Sequence, residues 1–207
     1  MEEIFPGLHA SAPEPLSFAP SLHIRAFLLA RAEGNLLIYS APGVQSDAEE
    51  IESLGGISHQ YLNHWHEASF GCAGTAHRFG ATLLSHEADA QSVAEKCSVD
   101  ETFSERATLG EDFELIPTPG HTEGATAFLW DSGEHRFLFT GDSVYIDDGE
   151  WIAAVLESSD RERYLESLKL IRTLDFDVLV PWAATGGQPF HALTDGVDLA
   201  GDAWTAA

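Results

Sequence analysis

The feature that most constrains this chain is a pattern that recurs three times: a stretch that reads as a strand stops, and a potential metal ligand follows at once. The three places are His64 and His66 in YLNHWHEASFG, His121 in TPGHT and Asp142 in FTGD. Residues i and i+2 of an extended segment point to one side, so both imidazoles of the first stretch can face one ion while Trp65 points away. Imidazole nitrogens with a carboxylate suit zinc, iron or manganese, and loops at strand ends are where a rigid scaffold presents such groups. A lone H-x-H or Gly-Asp turn carries little, but the four residues together predict a shared metal site.

The surrounding pattern alternates helix and strand. HIRAFLLARAEGNLLIYSAPG holds two apolar runs around Glu33-Gly34-Asn35, which predicts a β-hairpin over about residues 23–40. SDAEEIESLGG has Ser46 and Glu49 at capping-box spacing, predicting a short helix, and HQYLN reads as a buried strand ending at His64. A short helix around 73–79, the strand ATLLS and a helix over about 87–96 follow; FELIPTPGHTEGATAFLW reads as strand, turn, strand, and RFLFTGD as another strand. SSDRERYLESLKLIRTL is amphipathic with a capping box at Ser159 and Glu162, and FDVLVPW is a last strand. The first ~20 residues, broken by prolines, are expected to be irregular, and the stretch after Trp182 has no clear period. The 207 residues suit one domain of α/β class, with sheets packed together and helices outside.

On TPGHTEGATAFL, FLFTGDSVY and the H-x-H segment, the chain resembles the metallo-β-lactamase-fold superfamily over about residues 24–182. That family's pattern is a hairpin, a helix and a strand leading into H-x-H-x-D-H-x-G-G, then P-G-H-T, then T-G-D, then a strand ending in P-G-H-G. The resemblance implies an αββα sandwich, two mixed β-sheets flanked by helices, with the metal site at one edge between the sheets. Members commonly bind two ions, the first through three histidines and the second through an Asp and two more histidines, with the T-G-D aspartate bridging both.

Here the motif aspartate falls on Ala68, its last histidine on Ser69 and the terminal histidine on Ala183, with Trp182 in place of the terminal glycine. All three missing groups belong to the second ion, whereas His64, His66, His121 and Asp142 remain. The resemblance therefore implies a mononuclear site holding one Zn, acting as a metal-dependent hydrolase on a small-molecule ester, thioester or lactone. With Ala68 in the place of the usual base, Asp142 is the candidate catalytic residue. Glu67 on a strand-like path points away from His66. One alternative is a mononuclear Fe site of His64, His121 and Asp142, resembling the superfamily's persulfide dioxygenases. Another is a scaffold that binds a metal or ligand without turnover. His191, beyond Ala183, is a remote candidate for a replacement ligand.

Thirty-four acidic against 10 basic residues give a formal net charge of −24, with Lys96 and Lys169 the only lysines. Such a surface argues against nucleic acid and anionic membrane as partners, since both are bound through Lys and Arg. Its self-repulsion is relieved as salt shortens the Debye length toward about 3 Å near 1 M, which suggests a halophilic source. Without a basic, apolar leader in MEEIFPGLHASAPEPLSFAP, the expected location is the cytoplasm. Cys72 and Cys97, far apart and not in a C-x-x-C pair, are expected to be two reduced, buried thiols.

Overall fold

The apolar runs pair into three ladders in the computed structural model, which describes residues 1–193. The first sheet runs, edge to edge, through Glu2–Phe5, Leu8–Ala10, Phe27–Leu29, Leu36–Ile38, His59–Tyr61, Thr82–His86 and Glu101–Phe103. Its first four strands are antiparallel neighbours, and from Leu36–Ile38 onward the pairing is parallel. The second holds Ala107–Leu109, Phe113–Pro117, Thr126–Asp131, Arg136–Gly141, Val178–Pro181 and His191–Ala192. The third holds Glu150–Ile152, Tyr145–Asp147, Ala183–Thr185, Ala19–Ile24 and Glu14–Leu16. Only Trp182 separates Val178–Pro181 of the second ladder from Ala183–Thr185 of the third.

The layers follow from which face each strand makes apolar. Phe27, Leu36 and Ile38 of the first sheet pack with Phe113, Phe128, Phe139 and Val180 of the second in the main core. On the outer side of the first sheet, Leu62 and Leu83 meet Cys72 and Val93 of the helices Cys72–Phe79 and Glu87–Ala94. Outside the second, Ile116, Leu138 and Leu179 meet Ile171 of the helix Arg161–Ile171. The order is helix, sheet, sheet, helix, the mixed architecture expected from the sequence. Burying one Leu or Phe side chain contributes about 1.5–3 kcal/mol, against about 0–1 for an exposed ion pair, so this core rather than the acidic surface holds the fold together.

Several local expectations are corrected. The first 20 residues are ordered: Pro6-Gly7, with Gly7 at φ 77°, turns Glu2–Phe5 back onto Leu8–Ala10, and Pro15 is tolerated because Glu14–Leu16 lies at a sheet edge. The hairpin is shorter than 23–40, since Leu29 pairs with Leu36 while His23 and Ile24 belong to the third ladder. Ser46 ends the helix Gly43–Ser46 instead of capping the next one. Asp47 precedes Ala48–Ser53, and its Oδ2 accepts from Ala12 N–H at 2.9 Å instead of capping. Asp160, not Ser159, caps Arg161–Ile171, accepting from the Glu162 and Arg163 N–H groups at 3.1 Å. Ser159 Oγ bonds instead to Leu156 N and His121 O.

Cys72 and Cys97 are not free thiols. They form a disulfide, Cα–Cα 6.3 Å, because the helices that follow His64 and His86 lie side by side on one sheet face. Among the described residues no helix is long and apolar enough to cross a membrane. Residues 194–207, whose structure the sequence pattern leaves open, lie outside the described residues.

Candidate metal centre

The three ligand loops have distinct local causes. Strand His59–Tyr61 ends before Asn63, and His64 is still extended at φ −155°, ψ 166°. The chain then tightens into a 3-10 helix, Trp65–Phe70, which Gly71 at φ 109° terminates. The expected strand-like course of 64–66 is thus wrong beyond His64, although both imidazoles still reach one place. Trp65 turns outward, 37 % exposed.

Glycine is required before each of the other two ligands. A Cβ on Gly120, at φ 140°, would lie 2.3 Å from Tyr164 Cα, and one on Gly141 would lie 2.0 Å from the Asn63 side chain. Only glycine permits that backbone conformation together with such close approach. His121 and Asp142 are the next residues in each case, so the tight loops set where their side chains begin.

One ligand atom from each of His64, His66, His121 and Asp142 lies within 4.8 Å of all the others. His121 Nε2 is 3.3 Å from His66 Nδ1 and 3.7 Å from Asp142 Oδ2, and His64 Nε2 is 3.4 Å from Asp142 Oδ2. Ligands at about 2.0–2.1 Å from a tetrahedral zinc stand about 3.3 Å apart, so these edges already have the right length. His64 and His121 are buried and His66 is half-buried.

Two tautomers are set by partners behind the rings. His121 Nδ1 lies 2.7 Å from Ala154 O, a carbonyl that can only accept, which leaves the Nε2 lone pair facing the cluster. His64 Nδ1 lies 3.0 Å from both Glu67 Oε1 and Asn63 Oδ1, which likewise turns its Nε2 inward. That Nε2 is buried without a hydrogen-bond partner. A buried, unpaired imidazole nitrogen beside a carboxylate is the signature of a cation site, and the donor set suits zinc.

Electrostatics point the same way. Burial would lower the His64 pKa, but the facing carboxylates of Asp142 and Glu67 outweigh it and raise it. Burial and the other two imidazoles hold His66 down to about 4, and burial lowers His121. Asp142 is pulled below the usual carboxylate range by His64 and the other rings despite its burial.

Sequence reasoning missed the supporting groups. Glu67 does not point away: the 3-10 turn folds it inward, fully buried, onto His64 and Asn63 N–H. Asn63 Nδ2 donates to Thr126 O and Thr140 O, joining the first loop to two strands. Tyr39 Oη accepts from Gly141 N–H at 2.8 Å and donates to Val180 O at 2.7 Å. Asp89 accepts from Trp65 N–H, Thr122 Oγ1 and Gly124 N–H. The only signal for any of them in the sequence is the acid next to His66. His191 is not in the cluster; its ring packs on Trp151 at 5.6 Å.

Two of the three positions where the resemblance puts ligands of a second ion are apolar. Ala68 and Ala183 are buried, and the Trp182 indole packs edge-on against His64 at 5.5 Å and Phe70 at 5.2 Å, donating Nε1–H to Ser40 O.

Residues 58–183 match the family model described as the metallo-beta-lactamase superfamily. The chain belongs to that superfamily. Solved structures carry the same fold. A metallo-β-lactamase from Pontibacter korlensis superposes with TM-score 0.73 at 18 % identity, covering 92 % of each chain. An archaeal superfamily protein from Sulfolobus tokodaii gives 0.65 at 21 % identity, covering 90 % of this chain and 81 % of its own. A metallo-β-lactamase from Cronobacter sakazakii gives 0.64 at 19 %, covering 87 % and 79 %. No curated protein matches the sequence. At such identities the likeness concerns the fold, and this member's His/Asp group is one that could bind a metal ion, as is typical of the superfamily.

Proposed function

We propose that this superfamily member is a hydrolase with a single zinc, acting on a small-molecule ester, thioester or lactone. The observation that carries the reading is the convergence of three imidazoles and one carboxylate, one atom of each within 4.8 Å of all the others, with the inward lone pairs of His64 and His121 set from behind. Zinc held by the three imidazoles, with Asp142 displaced or only weakly bound, would keep a position open for water and would supply a Lewis acid that acidifies it to a pKa of about 7 and polarises a carbonyl oxygen. Asp142, kept ionised by the imidazoles, holds one oxygen toward His64 and His121 and is the group that orients and deprotonates the attacking water. Glu67 is wholly enclosed and so is not the base.

The rim supports an uncharged acyl group. Trp65 lies against His66 with ring centroids 3.9 Å apart and planes tilted by 51°, and Val155, 41 % exposed, follows the carbonyl of Ala154 that holds His121. No lysine or arginine pairs with Asp142 or Glu67 among the described residues, so nothing there favours an anionic substrate. An iron site of two histidines and a carboxylate is less well supported, because His66 stands 3.3 Å from His121 inside the same group.

Metal analysis of protein purified without added ions tests the reading. One zinc per chain is expected, lost in His64→Ala and His121→Ala, together with turnover of aryl ester, thioester or lactone that falls in Asp142→Ala. Iron at one per chain would replace hydrolase with oxygenase. Retention of metal in both histidine variants overturns the ligand set, and bound zinc without turnover of any of the three substrates leaves a scaffold.

A further inference from the structure

Glu67 is an unusual group to find inside this fold. It is completely buried, its Oε1 accepts from Asn63 N–H at 3.1 Å and lies 3.0 Å from His64 Nδ1, and its Oε2 has no partner at all. A capping role alone would be served by any neutral acceptor. A carboxylate enclosed in a low-dielectric interior with one unsatisfied oxygen is a cost to the fold unless a positive charge lies close by. Among the described residues no lysine or arginine supplies that charge. Apart from the His64 ring itself, 3.0 Å away, the cation that would answer Glu67, and with it the unpartnered His64 Nε2, is the one the four ligands would hold.

The chain also makes Glu67 reach this place deliberately. Had residues 64–70 continued as a strand, the side chain would have faced away; the 3-10 turn closed by Gly71 brings it back under His64. Ala68, one residue on, offers no carboxylate, so Glu67 and Asp142 are the anions that balance a divalent ion in this loop region.

We propose that Glu67 is the positioning residue of the metal centre: its carboxylate, hydrogen-bonded to His64 Nδ1, holds the ring with Nε2 inward and adds the negative charge that makes His64 a strong ligand. This rests on the metal reading above. Carboxylates behind metal-bound imidazoles typically change affinity by about 10- to 100-fold, so the effect is large enough to separate from a structural one.

The test compares zinc affinity, by competition with a chromophoric chelator, in the parent, Glu67→Gln and Glu67→Leu, with the visible spectrum of the cobalt(II)-loaded proteins and the metal-free melting temperature. Glutamine keeps an oxygen for Asn63 N–H and His64 but removes the charge. Glu67→Gln is expected to bind about tenfold more weakly with no fall in metal-free melting temperature, and Glu67→Leu about a hundredfold more weakly with an altered cobalt spectrum. Parent-like affinity and spectrum in Glu67→Gln overturn the proposal and leave Glu67 a cap. That variant decides the matter even if Glu67→Leu does not fold. A parent that binds no zinc sinks the metal reading and this role with it, whereas a parent that binds with Glu67→Gln unaffected sinks this role alone.

Discussion

The Asp89 carboxylate and the Thr122 hydroxyl are joined by a 2.7 Å hydrogen bond, so a helix that carries no ligand ties together the two loops that carry the histidines. The same Oδ2 accepts Trp65 N–H at 3.0 Å, one residue from His64 and His66. Oδ1 accepts Gly124 N–H at 2.9 Å, three residues from His121. Asp89→Ala leaves these donors without partners where Asp89 is only 4 % exposed, each at a cost of about 1–3 kcal/mol. The variant is expected to melt lower and to bind zinc about tenfold more weakly while keeping one ion per chain. Unchanged affinity in a chelator competition would show that the loops do not depend on this clamp.

How much of this was legible beforehand depended on distance along the chain. The ligands are readable because each of the three loops that carry them follows its own strand, a local pattern, and the glycines before His121 and Asp142 are part of the motifs. Glu67 is misread because nothing in WHEASFG distinguishes a 3-10 turn from continued strand until Gly71 is seen at positive φ. Asp89 and the Cys72–Cys97 bond are invisible for another reason. Both depend on Cys72–Phe79 and Glu87–Ala94 sharing one face of the first sheet, a tertiary fact that spacing does not encode. The misplaced helix caps show the same limit at short range: Ser159 and Asp160 are both competent caps, and the contact of Ser159 with His121 O decides between them.

The disulfide closes a separation of 25 residues between two buried sulfurs. Cross-linking a loop of that size removes unfolded-state entropy worth about 3 kcal/mol. For a chain of this length that corresponds to about 6–12 °C in melting temperature. Thermal melts with and without dithiothreitol, and of Cys72→Ser/Cys97→Ser without it, are expected to show the reduced parent and the double variant falling together by this amount. Coincident melts of oxidised and reduced parent would mean that the bond contributes nothing to stability.

Excess zinc is not expected to add a second ion. Ala68, Ser69 and Ala183 offer no carboxylate or imidazole, and Trp182 stands edge-on to His64 with its indole bonded to Ser40 O. Restoring the three side chains as Ala68→Asp, Ser69→His and Ala183→His is therefore predicted to leave the stoichiometry at one while Trp182 is present. Adding Trp182→Gly should allow two, although removing a buried indole costs about 3–5 kcal/mol. Equilibrium dialysis with metal analysis reads the count, and two ions bound by the parent would refute the mononuclear reading.

Zinc binding at pH 8 is expected to release about two protons: one from the ligands, because only one of them then carries a proton that the ion must displace, and nearly one from a zinc-bound water acidified to a pKa of about 7. Burial alone would lower the His64 pKa, but Asp142 and Glu67 raise it to about 10, so metal-free His64 is protonated at this pH. His66, held down to about 4, and His121, lowered by burial, are already neutral, and Asp142 is ionised. Burial raises Glu67 to about 7, so it too is largely ionised at pH 8 and contributes its own proton only as the pH falls below that value. Affinity should therefore climb toward about a hundredfold per pH unit between pH 8 and 9. Calorimetric titration in two buffers of different ionisation enthalpy counts the protons directly. Release of only about one proton at pH 8 would mean that His64 is neutral before the ion arrives, so that Asp142 and Glu67 do not act on it as their distances require.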